Sequence, residues 1–142
     1  MCSTMPYPEM MVAPMREDLV RLGFQELRTP EQVSQAMEAM DGSIVLAVNS
    51  VCGCAAGAMR PAVMMAMEHE KLPDHRLTVF AGQDVEATAE ARKHLVGYPP
   101  SSPSIALMKD GDVVYMMERF MIEGRSAPEI AEDLKAAFNE HC

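Results

Sequence analysis

Two cysteines one residue apart, Cys52 and Cys54 with Gly53 between them, are the residues of this chain best suited to do chemistry. An apolar run, Ile44-Val45-Leu46-Ala47-Val48, leads into them, and the small residues Ala55-Ala56-Gly57 follow. This pattern predicts a strand that delivers a dithiol to the start of a helix. The first backbone N–H groups of a helix lack partners and the macrodipole is positive there, so a thiolate at that point is stabilised. A stabilised thiolate means a lowered thiol pKa and more nucleophile at neutral pH.

The pair can close on itself. Residues i and i+2 place their Cα atoms roughly 5.5–7 Å apart, at the upper edge of the disulfide range. The ring is expected to be strained, and strained, exposed disulfides are labile rather than structural. Gly53 relaxes the backbone between the sulfurs. Two other readings stand beside this one: a pair of inert core thiols, since free cysteine is often buried, and a metal site. A closed zinc site needs four ligands, and the chain holds no second close cysteine pair. No resident metal is expected; an iron–sulfur or metal carrier would have to recruit Cys2 or Cys142.

Something must position the dithiol, and 142 residues with 49% hydrophobic content suffice for one globular domain spanning 1–142. The net charge of -9 argues against nucleic acid and anionic membrane as partners. No apolar run approaches the roughly 20 residues of a membrane span. Pro6, Pro8, Glu9 and Pro14 interrupt any signal-peptide core. A cytoplasmic chain is expected, in which a tight cysteine pair reads as redox or metal chemistry rather than as a structural staple. With no Trp and 15 Met, methionine serves as adaptable core filler.

Along the chain, residues 1–7 read as a loose tail carrying Cys2. A first helix is predicted from about 8 or 14 to 22, because Pro14 fits a first helical turn better than a middle one. Met15, Leu19 and Leu22 share a face of it. Thr29-Pro30-Glu31-Gln32 reads as a capping box opening a second helix with Val33, Met37 and Met40 as its stripe. After the strand at 44–48, a helix from 54 to about 70 is expected to be kinked by Pro61. A second strand covers 76–81, and Asp84 caps a helix over 85–96. A third strand covers 104–109, and Asp110-Gly111 turns it back into a fourth over 112–117. Ser126-Ala127-Pro128-Glu129 is a second capping box, opening a last helix with Ile130, Leu134 and Phe138 buried. The fold class is α/β: a mixed four-stranded sheet, helices on both faces, and an N-terminal helical extension.

This order of elements, with cysteines opening the first crossover helix, resembles the thioredoxin fold. Three stretches narrow the resemblance: Val48-Asn49-Ser50-Val51-Cys52-Gly53-Cys54-Ala55-Ala56-Gly57, then Val79-Phe80-Ala81-Gly82-Gln83-Asp84, then Pro100-Ser101-Ser102-Pro103-Ser104. Together with the ending His141-Cys142 they are similar to the bacilliredoxin family over nearly the whole chain. The resemblance implies a cytoplasmic thiol–disulfide oxidoreductase that removes low-molecular-weight thiols, bacillithiol in particular, from S-thiolated proteins. It needs no cofactor beyond the small thiol as co-substrate.

Carried over by position, the resemblance makes Cys52 the attacking thiolate, Cys54 the resolving cysteine that closes a Cys52–Cys54 disulfide, and Gly53 the spacer. Pro103 matches a cis-proline and Ser102 offers backbone hydrogen bonds to substrate. The role of Cys142 stays open. Thioredoxins carry a buried acid in the strand before the motif, and residues 44–48 have none. His69, His75, His94 and His141 read as surface histidines; Arg60, near two turns past Cys54, has two readings, a cation that helps hold a thiolate or anion and, ahead of it, a surface cation. A protein disulfide isomerase or oxidant would use the same dithiol on another substrate. The metal carrier and a purely structural adaptor role complete the alternatives. The physiological thiol, protein targets and oligomeric state are not encoded in any motif.

Overall fold

The computed structural model describes residues 7–39 and 41–142. The tail reading, Cys2 and Met40 therefore lie outside the described residues. The elements run α1 (Glu9–Val20), β1 (Gln25–Glu26), α2 (Pro30–Ala39), β2 (Ser43–Asn49), α3 (a π-helical turn, Ala55–Met59, continuing as α-helix Arg60–Ala66), β3 (His75–Phe80), α4 (Val85–Arg92), β4 (Ser104–Lys109), β5 (Asp112–Met117), α5 (Arg119–Ile122) and α6 (Ala127–His141). No described helix is long and apolar enough to cross a membrane.

The sheet is mixed, in the order β1-β3-β2-β4-β5. Strand β2 is the middle strand, parallel to β3 and antiparallel to β4. All seven of its residues are buried, as expected for a strand covered on both faces. Its side chains alternate. Val45 and Ala47 join the core under α3, α5 and α6, while Ile44, Leu46 and Val48 join the core under α2 and α4. Helices therefore cover both faces. The period-2 geometry of a strand divides one apolar run between two cores.

The sheet has five strands rather than the expected four. The added strand, β1, is two residues long and pairs in parallel with β3, Gln25 opposite Leu77 and Glu26 opposite Thr78. Two residues carry too short a pattern to register as a strand; the edge of β3 recruits them. Pro14 also departs from expectation, lying inside α1. Its missing N–H leaves the Met10 carbonyl without its helical donor, and Met10 is 87% exposed, so water can take that carbonyl.

Several local readings hold. Ser126 and Glu129 form a reciprocal capping box at α6. Ile130, Leu134 and Phe138 are buried. At the β4–β5 turn, Asp110 (φ 51°) and Gly111 (φ 91°) both take positive φ, which a two-residue hairpin of this twist requires. Asp84 does not cap α4 through its side chain. Its carboxylate instead takes two hydrogen bonds from buried Arg16, at 2.6 and 3.1 Å. Burial draws the Arg16 pKa down, but hydrogen bonds to Asp84 and Glu9 outweigh it and hold the guanidinium above its usual range.

Candidate active site

The site is built where β2 ends. Asn49 and Ser50 are buried polar residues at that point, and a buried polar group needs partners. The Asn49 amide donates to the Met15 carbonyl at 3.1 Å, and its Oδ1 accepts from the Ser50 N–H at 2.9 Å. Ser50 Oγ accepts from the Cys52 N–H at 3.3 Å. The Cys52 carbonyl then accepts from the N–H groups of Ala55 and Ala56, at 2.9 and 3.2 Å. The dithiol thus sits at the strand-to-helix junction expected from sequence, with residues 53–66 helical.

The turn following the cysteines is π-helical, and the Arg60 N–H closes it on the Ala55 carbonyl. Pro61 accounts for this. It has no N–H to give the Gly57 carbonyl, and its ring would crowd that carbonyl in a regular α-helix; widening the preceding turn relieves both. The expected kink is therefore resolved as a change of helix type.

Arg60 is not a surface cation. It is 5% exposed and lies beneath the cysteine loop. Its Nη1 donates to Asn49 Oδ1 and to the Ser50 carbonyl, each at 2.9 Å. Its Nε is buried without a hydrogen bond, yet stands 3.4 Å from Asp18 Oδ2 in an ion pair. Burial pushes the Arg60 pKa down, and Asp18 opposes that shift. The buried charge behind this dithiol is thus a cation, held by α1 on one side and the motif loop on the other.

Cys52 and Cys54 are buried to a similar, intermediate degree, and Gly53 is exposed. Residue burial does not separate the two cysteines; their surroundings do. Cys54 packs against the core under α3 and α6. Cys52 Sγ accepts from Arg119 Nη1 at 3.5 Å. Cys54 carries a free thiol and Cys52 is disulfide-bonded, so the Cys52–Cys54 bridge is open in this structure.

The Ser101-Ser102-Pro103 loop reaches the same place. The Ser102–Pro103 peptide is cis and Pro103 is buried. Arg92 Nη2 donates to the Ser101 carbonyl at 3.2 Å, and Ser104 Oγ donates to the same oxygen at 3.0 Å. Ser104 pairs with Val48, which sets the loop beside the end of β2. Arg119 completes the constellation. The Nη1 that touches Cys52 also donates to the Ser102 carbonyl at 3.1 Å, and the Arg119 N–H donates to Ser101 Oγ at 3.4 Å. One guanidinium nitrogen therefore spans the sulfur and the loop.

Sequence reasoning missed Arg119 entirely. The only local trace was Glu123 four residues on, which takes Arg119 Nε at 3.2 Å. Nothing in the pattern links position 119 to position 52. Cys142, whose role was open, lies elsewhere. Its thiol hydrogen-bonds Ser43, the first residue of β2, whereas the dithiol follows Asn49, the last. Seven strand residues span roughly 20 Å, so Cys142 can neither resolve Cys52 nor join a ligand set with it. Among the described residues, no group of three or more His, Cys, Asp or Glu is placed to hold a metal ion.

The arrangement suits thiol–disulfide exchange: a disulfide sulfur beside a cation, a free thiol on the second residue after it, and a backbone loop alongside. Known proteins agree. Residues 7–142 match the family model described as disulphide isomerase. A bacilliredoxin of Salinibacter ruber is 55% identical over 140 residues, covering 97% of this chain and 82% of that protein. One of Geobacillus kaustophilus is 53% identical over 137 residues, covering 96% and 94%. One of Cytophaga hutchinsonii is 53% identical over 134 residues, covering 94% and 98%. Identity at this level across nearly the whole chain, with a dithiol at a strand-to-helix junction, has a thiol–disulfide redox role as its common denominator, and it makes this chain a member of the bacilliredoxin family.

Proposed function

We propose that this protein removes low-molecular-weight thiols of the bacillithiol type from protein mixed disulfides, in a reducing, cytoplasmic setting, on a thioredoxin-like fold. The Cys52 thiolate attacks the small thiol's sulfur in the mixed disulfide. A Cys52–small-thiol disulfide forms, and the protein thiolate leaves and takes a proton from water. Cys54 then attacks Cys52 Sγ and expels the small thiol, closing Cys52–Cys54; a further small thiol or a dithiol reductant supplies the two electrons that reopen it. Alternatively, a second small thiol attacks the adduct directly and leaves as its own disulfide. No bound cofactor is needed.

The observation that carries the reading is the contact between Arg119 and Cys52 beside the Ser102-Pro103 loop. A cation at hydrogen-bond distance favours negative charge on that sulfur, whether it attacks or is displaced. The Ser102 carbonyl has two lone pairs and spends one on Arg119, which leaves the loop able to pair with an extended substrate segment. Gly53, exposed between the cysteines, adds no side chain to obstruct the approach. The missing acid in β2 leaves Cys54's proton to water or to the departing thiol.

The test is release of a small thiol from an S-thiolated protein. Wild type should catalyse it, and Cys52→Ala should abolish it. Release that persists in Cys52→Ala would overturn the assignment. The description of the matching family as disulphide isomerase favours a second reading, rearrangement of protein disulfides by the same residues. Faster recovery of a scrambled disulfide protein than of an S-thiolated one would favour it.

A further inference from the structure

We propose that Arg119 is a catalytic residue that also sets substrate choice: its guanidinium receives the carboxylate of the small thiol while that thiol is joined to Cys52. This rests on the proposed function and names the chemical class of its substrate, a low-molecular-weight thiol bearing a carboxylate.

Arg119 uses its donors unevenly. Nε faces Glu123 at 3.2 Å, and Nη1 faces Cys52 Sγ and the Ser102 carbonyl. Nη2 has no hydrogen-bond partner among the described residues, and the side chain is 32% exposed. A planar guanidinium with a free outer edge presents the geometry that carboxylates accept, and such charge-assisted bonds are stronger than neutral ones. Its one acid partner among the described residues, Glu123, is 55% exposed and four residues along a single turn of helix, a pairing of small worth that an incoming carboxylate can replace.

The position matches the chemistry. Once the small thiol is bonded to Cys52, a carboxylate two or three carbons from its sulfur falls within reach of a guanidinium that already touches Cys52 Sγ. The global field points the other way: the chain carries a formal charge of -9 and repels small anions at long range. A preference for an anionic thiol therefore requires a local cation at the sulfur. Arg60 cannot serve, because it is buried beneath the loop with Nη1 committed to Asn49 and Ser50.

The test uses a reporter protein with one cysteine in mixed disulfide with 3-mercaptopropionate, 2-mercaptoethanol or cysteamine. These thiols are anionic, neutral and cationic. Release of the reporter thiol is followed with wild type, Arg119→Gln and Arg119→Lys, and each rate is divided by that of dithiothreitol on the same disulfide to remove intrinsic reactivity. Wild type should favour mercaptopropionate over mercaptoethanol by about tenfold, with cysteamine slowest, as expected for one partly exposed charge-assisted pair. Arg119→Gln should bring the three together, and Arg119→Lys should keep part of the order. Far-UV circular dichroism melts check folding. Should Arg119→Gln not fold, salt keeps the proposal falsifiable: raising ionic strength from about 0.05 to 0.5 M should shrink the wild-type preference several-fold. Wild type active on all three without charge preference, or a preference that Arg119→Gln or high salt leaves intact, overturns this inference alone. Wild type inactive on all three overturns the proposed function, and this inference with it.

Discussion

Arg60 Nη1 and Asn49 Oδ1 stand 2.9 Å apart, both buried, directly under the loop that carries the dithiol. The same nitrogen holds the Ser50 carbonyl. Among the described residues, replacing Arg60 by Met strips the Ser50 carbonyl of its donor, leaves Asn49 Oδ1 with the Ser50 N–H alone, and leaves Asp18 with Arg21 alone. An orphaned buried acceptor costs about 1–3 kcal/mol, and Asp18 is a third exposed, which limits its share. Arg60→Met should therefore lower unfolding stability by about 1–3 kcal/mol in a urea titration. It should also slow alkylation of reduced Cys52 under conditions where the variant stays folded. A variant as stable and as reactive as wild type would remove Arg60 from the architecture of the site.

The two cysteines should divide the reaction. Cys54→Ala retains Cys52 and its Arg119 contact, so it should still attack a mixed disulfide and should accumulate a Cys52 adduct that only external thiol clears. Excess small thiol should restore turnover to Cys54→Ala and not to Cys52→Ala. Tryptic mapping by mass spectrometry reads the trapped species. An adduct on Cys54 or Cys142 with Cys52 dispensable would reverse the assignment.

Cys142 should be a bystander. Burial pushes its thiol pKa up, with Asp74 adding to the shift while the Ser43 hydrogen bond, Lys109 and Lys71 oppose it. A raised thiol pKa means less thiolate at neutral pH. Cys142→Ser should leave small-thiol release within about twofold of wild type. In reduced protein at pH 7, iodoacetamide should label Cys142 more slowly than Cys52. Loss of activity in Cys142→Ser would contradict the roughly 20 Å that β2 places between them.

The capping box of α6 should show in acid. The Ser126 N–H and hydroxyl hold the Glu129 carboxyl below its usual pKa. A carboxylate with a depressed folded pKa contributes stability above its unfolded value, near 4.3, and loses it as pH falls through the folded value. Wild type should therefore exceed Glu129→Gln in urea midpoint at pH 6, and the gap should close as pH drops from about 5 towards 3. A gap that does not change with pH would assign the difference to packing alone.

Much of this molecule is written in short-range patterns. The apolar run before Cys52 marked the central strand, and Asp110-Gly111 marked the hairpin. Ser126 with Glu129 marked the start of α6, and the dithiol at an expected strand-to-helix junction pointed to redox chemistry ahead of inert core thiols or a metal site. Those features depend on residues within a few positions of one another, where backbone sterics, capping and periodicity act, so a one-dimensional reading reaches them. The neighbours of the dithiol depend on closure of the chain. Arg119 meets Cys52 across 67 residues only because β4 pairs with β2, β5 pairs with β4, and α5 follows at the end of β5. Arg60 reads as a surface cation until α1 brings Asp18 over it and the motif loop supplies two carbonyl-type acceptors. Gln25 and Glu26 become a strand only because β3 offers an open edge. Side-chain charges have no periodicity to betray their partners. Which cation reaches the sulfur, and which is buried beneath it, is decided by the packing of distant elements, where desolvation and pairing act on groups that the sequence keeps apart.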